Sequence, residues 1–221
     1  MVIGRRGFLL TAAGVTGAEV SLNPSFAALP VPPGNTLAFR LMRRGSEIGR
    51  HTATFEPRGD TLTVQVTVEA LVTLVSIPIV RYAHRVVETW QDGKLAGLTG
   101  ETDKNGQHEW VKAQRESEGL VVTGSKTQRY VPRDPVGATS YWNKHMLDGP
   151  MISLEDGVLL RPKVTPRGPE TIPLASGATI EADRYNLSGA FNVDLWYDRT
   201  GTWASMAVPV ADGSTVQYER L

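Results

Sequence analysis

The clearest pattern along the chain is the alternation in "TLTVQVTVEALVTL", where Leu62, Val64, Val66, Val68, Ala70, Val72 and Leu74 are separated by mostly polar residues. A period of two over this length predicts a long, half-buried strand from Thr61 to Leu74, and its β-branched content favours strand over helix. Thr61, Thr63, Gln65, Thr67 and Glu69 give that strand a wet opposite face. The following stretch, "PIVRYAHRVVETW" from Pro78 to Trp90, predicts its pairing partner. On it Val80, Tyr82, His84, Val86, Glu88 and Trp90 share one face, and Arg81, Arg85 and Thr89 the other. The first set is the more apolar and is expected to look inward. His84 and Glu88 then become a candidate hydrogen-bonded pair in a greasy interior, the alternative being that both sit near the strand end and reach solvent.

Turn signals punctuate the rest at short intervals: Arg44-Gly45-Ser46, Arg58-Gly59-Asp60, Asp92-Gly93, Asn105-Gly106, Glu118-Gly119, Asp156-Gly157, Asp198 to Gly201 and Asp212-Gly213-Ser214. Asn-Gly and Asp-Gly tolerate the positive φ angles of tight hairpins, so successive hairpins and an antiparallel meander are predicted. No long 3.6-period segment lies between them to supply crossover helices for a parallel sheet. The expected fold is all-β: an antiparallel meander forming a curled sheet or open barrel, with a plain β-sandwich as the alternative.

One segment breaks the pattern. "PVGATSYWNKHMLDGP" is bounded by Pro135-Val136-Gly137 and Asp148-Gly149-Pro150 and reads as a short capping helix, with Thr139 or Ser140 as its N-cap. Helical spacing puts Trp142 and Met146 on one face and Tyr141 and His145 on the neighbouring one. Too short to stand alone in water, it is expected to dock through Trp142 and Met146 onto the open end of the sheet. Packing is the first reading of this segment; the functional one keeps Ser140, Tyr141, Asn143 and His145 as a polar rim around a ligand mouth.

"TSYWN" (Thr139 to Asn143), "DLWYD" followed by Gly201 and Trp203, and "LAFRLMRRGSEIGRHTATF" (Leu37 to Phe55) together resemble an exported bacterial protein family of unknown function. The likeness spans most of residues 36–220. It implies a signal peptide followed by one β-rich domain and supplies no catalytic residues. The "LWYD…G…W" segment is also similar to the strand-turn-strand of periplasmic lipoprotein carriers of the Lol type, whose half-barrel holds acyl chains beneath a helical lid.

Composition narrows the chemistry. With 221 residues, 41% of them hydrophobic, one ordinary domain with a real core is expected. Balanced charge, 23 basic against 23 acidic residues, disfavours nucleic acid as a partner. The absence of cysteine removes disulfides, thiol nucleophiles and iron–sulfur ligation. At the N-terminus, Arg5 and Arg6 precede Phe8, Leu9 and Leu10, a weakly apolar stretch and Ser25-Phe26-Ala27, which looks like a twin-arginine export signal cleaved near Ala27; an ordinary Sec signal is the alternative. The expected organisation is a signal peptide over residues 1–27, a Pro-rich spacer over 28–35 and one β-rich domain over 36–221. The export machinery would be a partner, the periplasm the address, and no transmembrane anchor would remain after cleavage.

No catalytic motif stands out. "GLVVTGSKT", Gly119 to Thr127, approaches a phosphate-binding loop but has Ser125 where the lysine belongs and is itself strand-like. His51, His84, His108 and His145 show no paired metal spacing, and the G-x-S-x-G elbow is missing. No metal and no cofactor are expected. Tyr82, His84, Glu88, Trp90, Ser140, Tyr141, Trp142, Asn143 and His145 remain as candidate ligand-binding residues. The leading function is the binding or carriage of a small apolar, lipid-like ligand. A non-catalytic envelope domain is second, and a hydrolase using His84, His145, Glu88 or Ser140 third.

Overall fold

The computed structural model describes residues 29–74, 77–189 and 191–221. The signal-peptide reading, with Arg5, Arg6 and Ala27, lies outside them. Eight strands run as a meander from the N-terminal side: β1 (Thr36–Arg43), β2 (Ser46–Arg58), β3 (Thr61–Leu74), β4 (Ile77–Gln91), β5 (Lys94–Lys104), β6 (Gln107–Glu116), β7 (Gly119–Gly124) and β8 (Thr127–Tyr130). A second meander follows later in the chain, β12 (Lys163–Pro173), β13 (Thr179–Ser188), β14 (Val193–Asp198), β15 (Trp203–Pro209) and β16 (Thr215–Arg220). Because β16 pairs antiparallel with β1, the two meanders merge into one 13-stranded sheet with β12 and β8 at its edges. The sandwich alternative is thereby replaced by one continuous curled sheet.

The alternation seen in the sequence sets the inner face. Leu62, Val64, Val66 and Val68 of β3 and His84, Val86, Glu88 and Trp90 of β4 are all buried, whereas Arg81, Arg85 and Val87 are exposed. Tight turns supply the hairpins: Arg44-Gly45, Asp92-Gly93 and Asn105-Gly106 each place both residues at positive φ, as a two-residue hairpin with the sheet's own twist requires. Bulges at Leu41/Met42, Thr89/Trp90 and Trp196/Tyr197 bend the strands. The curl brings Phe39, Val64, Leu98 and Val111 from one meander and Leu195 and Tyr197 from the other into a single core.

Between the two meanders the chain turns into this curl as a plug. It carries the short strands β9 (Gly137–Ala138), β10 (Met151–Ile152) and β11 (Leu159–Leu160), which form a small sheet of their own. Against one side the plug lies on glycines: a Cβ on Gly100 would come to 2.5 Å from the Leu154 carbonyl oxygen, and one on Gly124 would overlap the Asp156 backbone. Against the other, Asn143 bridges Thr202 and the Tyr197 hydroxyl donates to the Tyr141 carbonyl at 2.8 Å. The plug thus spans the opening between the two arms of the sheet.

The capping helix is shorter than expected. Only Lys144–Asp148 is helical, a single 3-10 turn, and its N-cap is Asn143, whose Oδ1 accepts from the His145 N–H at 3.1 Å; Thr139 and Ser140 are not the cap. The cause is upstream. Thr139 is engaged with the small sheet, its N–H donating to the Ile152 carbonyl and its Oγ1 accepting from the Leu154 N–H, and Tyr141 takes a φ of 59°, which ends any helical run.

Candidate functional site

Inside the curl the polar residues sort into two levels. At the lower level Glu88 is fully buried, and its Oε2 accepts from the indole of Trp90 at 2.8 Å and from that of Trp142 at 3.0 Å. The ring of Trp142 meets Phe55 and Trp90 edge-on, with centroids 5.3 and 5.6 Å away. Burial drives the Glu88 pKa up, against the opposing effects of Ser140, Trp142 and Trp90. Ser140 is buried beside this knot, its hydroxyl donating to Met146 Sδ at 3.6 Å. It packs against the knot and also lines the cavity above it.

The expected His84–Glu88 pair does not form, although both side chains are inside. Val86 stands between them on the same face of β4, and each has another partner: His84 Nδ1 lies 2.8 Å from Thr102 Oγ1 on β5, while Glu88 serves the two indoles. The register explains this. His51 on β2, Val68 on β3, His84 on β4 and Thr102 on β5 are successive partners on one line across the sheet, one level above Val86.

That upper level faces a cavity of about 610 Å³, within the size range of small-molecule sites. Its walls are apolar, with Val66, Val68, Ala70 and Val72 from β3 opposite Met206 and Val208 from β15. Four of the residues singled out in the sequence line it: Tyr82, His84, Ser140 and Tyr141. The plug contributes Glu155, whose carboxylate accepts from the Tyr82 hydroxyl at 2.9 Å and pairs with Lys104 at 2.5 Å. Burial, helped by Lys104 and opposed by Glu155, lowers the His84 pKa to about 4, so this imidazole is neutral at neutral pH.

The remaining singled-out residues stand elsewhere. Glu88, Trp90 and Trp142 form the knot below. Asn143 and His145 border a separate groove of about 340 Å³ beside Pro135 and Met146. His145 is an exposed side chain 3.0 Å from Asp148, because the 3-10 turn points it outward; it is not on the rim of the larger cavity. Among the described residues no hydrogen bond links Ser140 to His84 or His145.

His51, which no sequence motif distinguishes from the other three histidines, is a lining residue of the larger cavity. It is buried and sits edge-on to Trp203 and Tyr218 with centroids 5.1 and 5.7 Å away. The signal was present in "HTATF", where His51, Ala53 and Phe55 share the inward face of β2. Glu155 and Lys104 left no such signal, since their meeting depends on the path of the plug.

A family model described as a domain of unknown function, DUF6134, matches residues 39–221. The chain belongs to this family. No curated protein matches it. Among solved structures, a crystal structure of a beta-barrel-like protein of the domain of unknown function DUF1849 from Brucella abortus is similar, with a TM-score of 0.59 and 10% sequence identity, over 84% of this chain and 94% of that one. At that identity the likeness concerns the fold, and it agrees with the curled, barrel-like sheet.

Proposed function

We propose that this DUF6134 protein is an exported, periplasmic binding or carrier protein that holds a small apolar, lipid-like ligand in the cavity between β3 and β15. The observation that carries the reading is the 610 Å³ cavity itself, walled by valines from both arms of the sheet and kept open although the same sheet packs a dense core one level below. A domain that served only as scaffold gains nothing from leaving such a volume unfilled, since interiors otherwise pack to near-crystalline density. The few polar groups converging on it, His84, Tyr82 and Glu155, can orient a ligand without making the site hydrophilic. Export is supported by the Arg5-Arg6 and Ser25-Phe26-Ala27 pattern in the sequence. Native mass spectrometry of protein purified without detergent tests the binding reading: a co-purified or added lipid of one-to-one stoichiometry supports it. A protein that stays at its bare mass in the presence of excess lipid leaves a non-catalytic envelope domain as the answer.

A further inference from the structure

We propose that the cavity selects an uncharged amphiphile whose hydroxyl group sits against His51, such as a long-chain alcohol or an acylglycerol, over a fatty-acid anion. This rests on the ligand-binding reading above and specifies the class of ligand. His51 is 6% exposed and lines the cavity, and among the described residues neither its Nδ1 nor its Nε2, both buried, has a hydrogen-bond partner. A buried polar group without a partner is costly, and nearly all such groups in folded proteins are satisfied. Phe39, Trp203 and Tyr218 stand edge-on around the ring, and His84 is near enough to push against its protonation. Because His51 lines the cavity, a ligand seated there is the partner that could reach the ring once the wall around its buried nitrogens gives way.

The chemistry of that partner follows from charge and valence. Burial, with a smaller push from His84, depresses the His51 pKa to about 3, so the ring is neutral and offers one N–H donor and one lone pair. A hydroxyl, itself both donor and acceptor, matches either nitrogen; a carboxylate can only accept. Among the described residues the charged side chains that line the cavity are Arg43 and Glu155, and both are already engaged: Arg43 with Asp212 at 2.6 Å and with Ser214, Glu155 with Lys104 and Tyr82. Among the described residues no lining cation is left to neutralise a buried anion, and Glu155 would repel one.

Displacement of the fluorescent probe 1-N-phenylnaphthylamine by dodecanol, dodecane and dodecanoate at pH 8 tests this on wild type, His51→Phe and His51→Gln. In wild type, dodecanol should displace the probe at about a tenfold lower concentration than dodecanoate and show a clear advantage over dodecane. His51→Phe should narrow the alcohol-to-alkane ratio to within about twofold of unity, and His51→Gln, which keeps a donor and an acceptor, should preserve most of it. Dodecanoate matching or beating dodecanol in wild type overturns the inference, and this comparison needs no variant to fold. So does an alcohol-to-alkane ratio that His51→Phe leaves unchanged. A probe that never binds saturably overturns the binding reading itself, and this inference with it.

Discussion

The indole of Trp142 donates to Glu88 at 3.0 Å across 54 positions of sequence, and so ties the plug to β4. Trp90, two residues from Glu88 on the same strand, donates to the same oxygen. One buried carboxyl therefore satisfies two indole N–H groups that the core would otherwise leave unpaired. Glu88→Leu removes the acceptor for both and should cost about 2–4 kcal/mol in urea unfolding, while Glu88→Gln, which keeps an acceptor, should cost about 1 kcal/mol or less. Equal costs for the two would mean that the indoles do not depend on this oxygen.

The same carboxyl has a pH signature. Its folded pKa is raised above the ordinary value of 4.5, so the native state binds the proton more tightly than the unfolded chain. Its contribution is fully present below 4.5 and is lost as pH rises through the folded value. His51 and His84, lowered from 6.5 to about 3 and about 4, act in the opposite sense: their contribution is present above 6.5 and is lost as pH falls toward those values. In a Glu88→Gln background, stability should decline between pH 6.5 and 4, by at most about 1.4 kcal/mol per pH unit for each histidine. Adding His84→Gln should flatten that decline, as read from urea midpoints at matched pH values.

Trp142 and His145 belong to one short segment with opposite roles. Trp142 is 2% exposed between Phe55 and Trp90, and Trp142→Ala should cost about 3–5 kcal/mol. His145 points to solvent, its Nδ1 3.0 Å from Asp148 Oδ2, and His145→Ala should stay within about 0.5 kcal/mol. Thermal unfolding of the two variants against wild type measures the contrast.

The sheet was far more legible than the plug, and the reason is physical. In β3 and β4 each residue's side is fixed by the strand's own period, so the inward placement of Val64, His84 and Glu88 could be read locally. The hairpins were marked by Asp-Gly and Asn-Gly because positive φ is a local demand. The path from Thr139 to Asn143 was not legible. Its extended entry is imposed by the pairing of Thr139 with Ile152, and its turn at Tyr141 is held by the hydroxyl of Tyr197, both distant in sequence. The same holds for the cavity: His51 could be placed inside from "HTATF", but that it lines a cavity with both ring nitrogens buried and unpartnered follows only from where β15, β16 and the plug come to rest.

The proposed export has its own test. Arg5→Lys with Arg6→Lys keeps the charge of the N-terminal segment while removing the paired guanidinium groups a twin-arginine receptor reads. Export into the periplasm, followed by cell fractionation, should collapse in the double variant. Undiminished export would assign the segment to the Sec route.

The most direct test of the central claim is to fill the cavity. Ala70 lies in its wall on β3, and Ala70→Trp places an indole in the space assigned to the ligand. Titration with 1-N-phenylnaphthylamine should give saturable, one-to-one binding to wild type, and the Ala70→Trp variant, checked for a β-sheet circular dichroism spectrum, should lose that binding. Wild type that binds no probe, or a folded Ala70→Trp that binds it undiminished, would contradict the account.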